Sequence, residues 1–111
     1  MEAKNDISRI TAVYRRGCVF SERAGMTEIV CSVILEKFTT LGISAGKIFV
    51  HRIDNGQVID VTNVLELLEL GPVYGTRLIV FSTEPGLDKE VDRVAKIIVD
   101  ARDTDSPISM K

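Results

Sequence analysis

The strongest local signal in this chain of 111 residues is a β-hairpin centred on Asn55-Gly56. Runs rich in β-branched and aromatic residues flank the turn at positions 47–53 and 57–61, and Asn-Gly is typical of turns that need positive φ angles. Because a tight turn joins its two strands antiparallel, the sheet contains at least one antiparallel pair. The rest of the fold has to be arranged around that pair.

Hydrophobic periodicity and turn residues predict the other elements. Apolar residues at helical spacing indicate amphipathic helices, and a continuous apolar run indicates a strand near the middle of a sheet. The first predicted elements are a strand over 7–14 ended by Arg15-Arg16-Gly17, a loop over 18–25 with an alternative short strand at 18–20, and a helix over 27–38. The hairpin follows, and after it come a short helix over 63–70 stopped by Gly71-Pro72, a strand over 76–82 and a helix over 87–100. The order β-α-β-β-α-β-α predicts one α/β (α+β) domain over residues 7–101, with flexible segments at 1–6 and 102–111.

Composition excludes several classes of function. The net charge of −2 argues against a general nucleic-acid binder, and no apolar run is long enough to span a membrane. The N-terminus lacks the apolar stretch of a secretory signal, so we expect a cytoplasmic setting. Two cysteines and one histidine make neither a disulfide framework nor an ordinary zinc site. The sequence therefore predicts no metal and no cofactor.

The central part of the chain carries a recognisable spacing of glycines. Asn55-Gly56 precedes the short helix, Leu70-Gly71 ends it, and Gly75-Thr76 opens the next strand. In this spacing the chain resembles the histidine-containing phosphocarrier protein (HPr) family of the bacterial sugar phosphotransferase system. The resemblance implies an HPr-like open-faced sandwich, in which three helices cover one face of a four-stranded antiparallel sheet.

The resemblance also implies where the chemistry of the family would lie. Its phosphoacceptor His opens the first helix in a Gly-Leu-His-x-Arg-Pro run, and the corresponding residues here are 25–30. Thr27 replaces the His, while Ile29 and Val30 replace the Arg and the Pro. The only imidazole belongs to His51, on a predicted strand, where a catalytic role is less expected than ordinary packing. Phosphohistidine transfer through the site of the family is therefore excluded.

The second phosphorylation site of the family is missing as well. Many members carry a regulatory Ser at the start of the second helix, and Asn63 stands there in this chain. Asn63, or its neighbour Thr62, is expected to cap that helix instead.

With both phosphorylation sites missing, the resemblance still implies a role in docking partner proteins. Family members bind partner proteins through apolar residues of the first two helices, which here correspond to Met26, Val64, Leu65 and Leu68, although core packing would explain these residues equally well. The leading hypothesis is a non-catalytic, HPr-like regulatory module. Its expected partners are a phosphotransferase-system protein, a transcription regulator or a second copy of the chain in a homodimer.

A different hypothesis starts from the arginines before the first helix. Arg15, Arg16 and Arg23, with Thr27, would form an anion site if they met at the helix N-terminus, and they would lower the pKa of Cys18. That arrangement would suit a small phosphate-binding or thiol-dependent enzyme, whereas the alternative is a solvated loop beside an inert thiol.

Two further possibilities stay open. Ser21 and Thr27 carry hydroxyls that a kinase could phosphorylate. RNA binding on the open sheet face is a third function, which the scarcity of aromatic–basic pairs disfavours.

Overall fold

A computed structural model describes residues 12–102, apart from the side chain of Val64. The elements are β1 (Tyr14–Val19), α1 (Glu28–Leu41), β2 (Ile48–Arg52), β3 (Val58–Asp60), α2 (Val64–Leu70), β4 (Arg77–Ser82) and α3 (Asp88–Asp100). The strands form one antiparallel sheet in the order β1-β4-β2-β3, and the three helices pack against it. The predicted α+β sandwich and its order of elements are therefore confirmed.

Alternation along the strands gives the sheet a helix-covered face and an open face. On the helix-covered face, Val50, Leu78 and Val80 pack into the core. On the open face, Phe49 of β2 and Phe81 of β4 lie opposite each other and stack, with ring centroids 5.5 Å apart. The core therefore lies between one side of the sheet and the apolar faces of the helices.

A carboxylate on α3 ties that helix to β1. Asp92 accepts hydrogen bonds from the Tyr14 hydroxyl at 3.0 Å and from Arg16 Nε at 3.0 Å. The bond to the Asp92 carboxylate is the main reason that the pKa of Tyr14 is raised, since ionising the phenol would place two negative charges together. Arg16 is thus committed to an ion pair within the fold.

The position of the first strand differs from the prediction. Arg15, Arg16 and Gly17 were expected to end a strand over 7–14, but they form the middle of β1. Pairing with β4 decides the position, because six consecutive residues of each strand match in register from Tyr14 to Val19. Residues 7–11 of the predicted strand lie outside the described part of the chain, as do the predicted flexible segments 1–6 and 102–111 apart from Arg102.

The hairpin is present, but its turn is wider than Asn-Gly suggested. Within the turn, Gly56 alone has a positive φ, of 75°, and Arg52 N–H donates to the Gln57 carbonyl across the loop. The Asn55 side chain accepts from Gln57 N–H at 2.9 Å, so it stabilises the turn without entering the left-handed region.

Within residues 12–102 no helix is both long and apolar enough to cross a membrane.

Candidate functional site

The N-terminus of α1 is capped by a hydroxyl. Thr27 has extended backbone angles, and its Oγ1 accepts a hydrogen bond from Val30 N–H at 3.1 Å. The Thr27 carbonyl accepts from Cys31 N–H, which closes the first helical turn. Glu28 adds a carboxylate at the positive end of the helix dipole. Thr27 is therefore the N-cap of α1.

The loop before α1 is joined to the loop between α2 and β4. Met26 N–H donates to the Pro72 carbonyl at 3.1 Å, and Gly75 N–H donates to the Phe20 carbonyl at 2.8 Å. Phe20 N–H donates in turn to the Thr76 carbonyl at 2.9 Å. These backbone bonds make residues 20–27 and 71–76 one connected surface.

A sharp turn over residues 22–25 leads the chain into α1. Glu22 is buried, its carbonyl accepts from Gly25 N–H, and its carboxylate accepts from Ala24 N–H at 2.8 Å. Gly25 has a φ of 81°, which an L side chain rarely adopts. A glycine at position 25 is thus a geometric requirement of the turn.

Two exposed side chains link the same loops from outside. The Arg23 guanidinium lies over the ring of Tyr74, 4.9 Å from its centroid. At an exposed position such a cation–π contact contributes about 0.5–1 kcal/mol. This contact joins the loop before α1 to the loop before β4, and Tyr74 stays exposed on the surface.

Large apolar side chains around this loop pair are exposed to solvent. Leu65 of α2 is 67% exposed, and Ile29, Val73 and Tyr74 are also exposed, while Met26 and Leu68 are partly buried against the core. Exposed apolar side chains that form a contiguous patch are typical of interaction surfaces. We define the α1–α2 surface as Met26, Ile29, Leu65, Leu68, Val73 and Tyr74. The fourth predicted docking residue, Val64, has a side chain outside the described atoms.

The predicted arginine cluster does not form at the helix N-terminus. Arg15 and Arg16 are neighbours on β1, so their side chains point to opposite faces of the sheet. Arg16 binds Asp92 on α3, and Arg23 stacks on Tyr74. The three guanidinium groups therefore have separate surroundings and do not converge on Thr27.

Cys18 lies on the helix-covered face of β1 and is half-buried. Burial raises the pKa of its thiol to about 11, so the expectation that arginines would lower this pKa is wrong. The thiol stays protonated at neutral pH, where a nucleophile would need to be a thiolate.

We expect Cys18 to react slowly with iodoacetamide at neutral pH and faster as the pH rises toward 11, as measured by mass spectrometry of its peptide. The folded-state pKa lies above the unfolded value, so burial of the neutral thiol stabilises the fold below about pH 9. That contribution is lost as the pH rises further. Rapid alkylation of Cys18 at pH 7 would contradict this assignment, and Cys18→Ser identifies any signal from Cys31.

The remaining candidate residues lie elsewhere. His51 is on β2 opposite Val58 and Ile79, and its side chain is on the open face, away from the helices. Asn63 caps α2 by accepting from Glu66 N–H at 3.0 Å, as predicted. The Ser21 hydroxyl donates to the Val19 carbonyl. Phosphorylation of Ser21 or Thr27 stays a prediction.

Metal-ligand clusters of three or more His, Cys, Asp or Glu side chains do not occur between residues 12 and 102. No protein-family model and no curated protein matches the chain. Functional inference therefore depends on the residues themselves.

Proposed function

We propose that this protein is a non-catalytic docking module of the HPr type, which binds a protein partner through the α1–α2 surface and does not relay phosphate. The proposed partners are a phosphotransferase-system protein or a transcription regulator that recognises HPr-like surfaces. The proposed setting is accordingly the cytoplasm.

One observation carries the proposal: a threonine caps the helix end where the family places its phosphohistidine. The Thr27 hydroxyl accepts from Val30 N–H, so one of the free donors at the helix N-terminus is already satisfied inside the chain. A hydroxyl also lacks the imidazole nitrogen that would accept a phosphoryl group from a phosphohistidine donor. His51 on the open face cannot take its place, because the sheet separates the two residues.

The exposed residues support a binding role for the same end of the molecule. Leu65, Val73 and Tyr74 offer exposed apolar area. Aromatic and aliphatic anchors surrounded by polar side chains are typical of protein interfaces. Backbone bonds between the two loops hold this area in one shape before a partner arrives, which lowers the entropy cost of binding.

The chemical part of the proposal is tested with enzyme I and phosphoenolpyruvate. We expect no stoichiometric labelling of this protein under conditions that fully phosphorylate an ordinary HPr in the same tube. Acid-labile phosphate on His51, located by mass spectrometry, would overturn the proposal.

The binding part is tested by titrating the isotope-labelled protein with the HPr-binding domain of enzyme I. We expect amide shifts in residues 25–30 and 64–75, and an increase of about tenfold or more in the dissociation constant for Leu65→Asp, which places a charge in an apolar contact. Leu65 is mostly exposed, so the variant should fold normally.

Ile53→Asp is the matched control, since Ile53 is also exposed and apolar but lies directly after β2, where alternation from the buried Val50 places it on the open face. Equal weakening by both variants, or no shift in either segment, would contradict the α1–α2 surface.

A further inference from the structure

We infer that the free edge of β1 pairs with β1 of a second copy, antiparallel and centred on Gly17, to form a continuous eight-stranded sheet. This inference goes beyond the docking role, because β1 lies at the sheet edge and contributes no residue to the α1–α2 surface. Both the self-association surface, the edge of β1, and its register can be tested.

The edge of β1 is unpaired within the described residues. The strand order places β1 at one end of the sheet, with β4 as its only neighbour. Unpaired N–H and C=O groups on an edge strand are a template for a further strand, and proteins usually block such an edge with proline, bulges or charge. β1 contains no proline and has a glycine near its centre, and of its two charged residues, Arg15 and Arg16, the second is paired with Asp92.

The hydrogen bonds show which backbone groups point outward. Phe20 N–H donates to the Thr76 carbonyl, just before β4, and the Phe20 carbonyl accepts from Gly75 N–H. On the other side of β4, Ile53 N–H donates to the Arg77 carbonyl. Because bonding pairs alternate along antiparallel strands, even-numbered residues of β4 bond to β1 and odd-numbered residues bond to β2. The outward-pointing N–H and C=O groups of β1 therefore belong to Arg15, Gly17 and Val19.

Only a few registers let these outward groups bond to their equivalents in a second copy. Centring the two-fold axis on Gly17 pairs Gly17 with itself and Arg15 with Val19 of the second copy, which uses all three residues. Centring on Arg15 places Arg15 opposite itself, and centring on Arg16 places Arg16 opposite itself. Centring on Cys18 leaves Arg15 without a partner residue inside the strand.

Charge and size favour the register centred on Gly17. The charge of Arg16 is compensated by Asp92, and Arg16 would face Cys18 of the second copy. Arg15 forms no ion pair with another residue of the described chain, and it would face the apolar Val19, which is 45% exposed. A Cβ added to Gly17 would meet no atom within 4 Å, so two strands can approach closely at the axis.

Charge substitution at Val19 tests the pairing and its register together. Val19→Lys would face Arg15 of the second copy twice in each dimer, and Val19→Glu would create two attractive pairs instead. From the strength of cross-strand charge pairs, we expect the dimer dissociation constant to rise about tenfold for Val19→Lys and to fall for Val19→Glu. Sedimentation velocity and light scattering at millimolar protein concentration measure both changes.

Ile53→Lys is the matched control, because it adds the same charge to an exposed apolar position of the open face, away from the β1 edge. A monomeric wild type at millimolar concentration, or identical shifts for Val19→Lys and Val19→Glu, would overturn the inference.

An oxidative cross-link provides the second measurement. Gly17→Cys in a Cys18→Ser background should form a disulfide-linked dimer, because directly opposed residues of an antiparallel pair lie within disulfide reach. Ile53→Cys in the same background should stay monomeric. Equal cross-linking of both variants would indicate random collision and contradict the paired edge.

Discussion

Replacing Phe20 by alanine is expected to lower the free energy of unfolding by about 3–5 kcal/mol, the largest single effect that we expect outside an engineered charge in the core. Phe20 has no exposed surface and is among the largest fully buried side chains of the described part of the chain. It is also the residue at which β1 gives way to the loop that enters α1. Truncation removes a ring from the core and leaves a cavity beneath that loop.

Urea denaturation followed by circular dichroism measures the loss. Phe20→Leu keeps most of the side-chain volume and should cost clearly less, while Val19→Ala, at the exposed neighbouring position, should stay within about 0.5 kcal/mol of wild type. A loss below about 1 kcal/mol for Phe20→Ala would show that the loop collapses into the space, and would contradict a rigid base under the α1–α2 surface.

The importance of Phe20 could not be read from the sequence because its segment has no sustained period. Residues 18–25 combine an edge strand, a buried aromatic and a tight turn within eight positions, so neither a period of two nor one of 3.6 appears. Pairing with β4 determines where β1 begins and ends, and that pairing depends on residues some sixty positions later in the chain. Local propensity carries no information about such a partner.

The elements with strong local signals were predicted well. α1, α2 and α3 each combine an apolar stripe with a recognisable end, and Gly42 and Gly71 adopt the left-handed conformation after α1 and α2. Their boundaries differ from the predictions by at most three residues at either end. Capping and periodicity are local properties, which is why they survive in the folded chain.

The candidate site was predictable only where it depends on a single residue. The Thr27 and Asn63 caps follow from side-chain chemistry at helix starts, and both are present. The arginine cluster failed for a reason of geometry: placing Arg15 and Arg16 on a strand, where neighbours alternate, sends their side chains to opposite faces. The contact between Arg23 and Tyr74 forms where two loops meet, and no local pattern in the sequence predicts it.

Arg52 joins the β2–β3 hairpin to the end of α2. Its Nη1 donates to the Leu70 carbonyl at 2.7 Å and to the Gly71 carbonyl at 3.1 Å, while Nε and Nη2 bind the two oxygens of Asp54. The last carbonyls of a helix lack partners inside the helix, and α2 has no basic residue in its own last turn. Arg52 therefore supplies from β2 the positive charge that the end of α2 needs.

Arg52→Met is expected to lower the free energy of unfolding by about 2–3 kcal/mol, because two charge-assisted hydrogen bonds are lost at a side chain that is only 19% exposed. Methionine keeps the length and the apolar stem, so the loss reports the guanidinium and not a cavity. The Asp54 carboxylate is largely exposed and can return to water at little cost.

Arg52→Lys separates charge from geometry. Lysine keeps the positive charge but cannot bind Asp54 and both carbonyls at once, so an intermediate loss of stability is expected. Urea denaturation gives the stability, and amide hydrogen exchange of residues 71–76 reports the loop. Gly71 is followed by Pro72, whose carbonyl accepts a hydrogen bond from Met26 N–H. In Arg52→Met we therefore also expect faster exchange of the Met26 and Gly75 amides. Wild-type stability with unchanged exchange would mean that water satisfies these carbonyls equally well, and that the hairpin does not hold the α1–α2 surface in place.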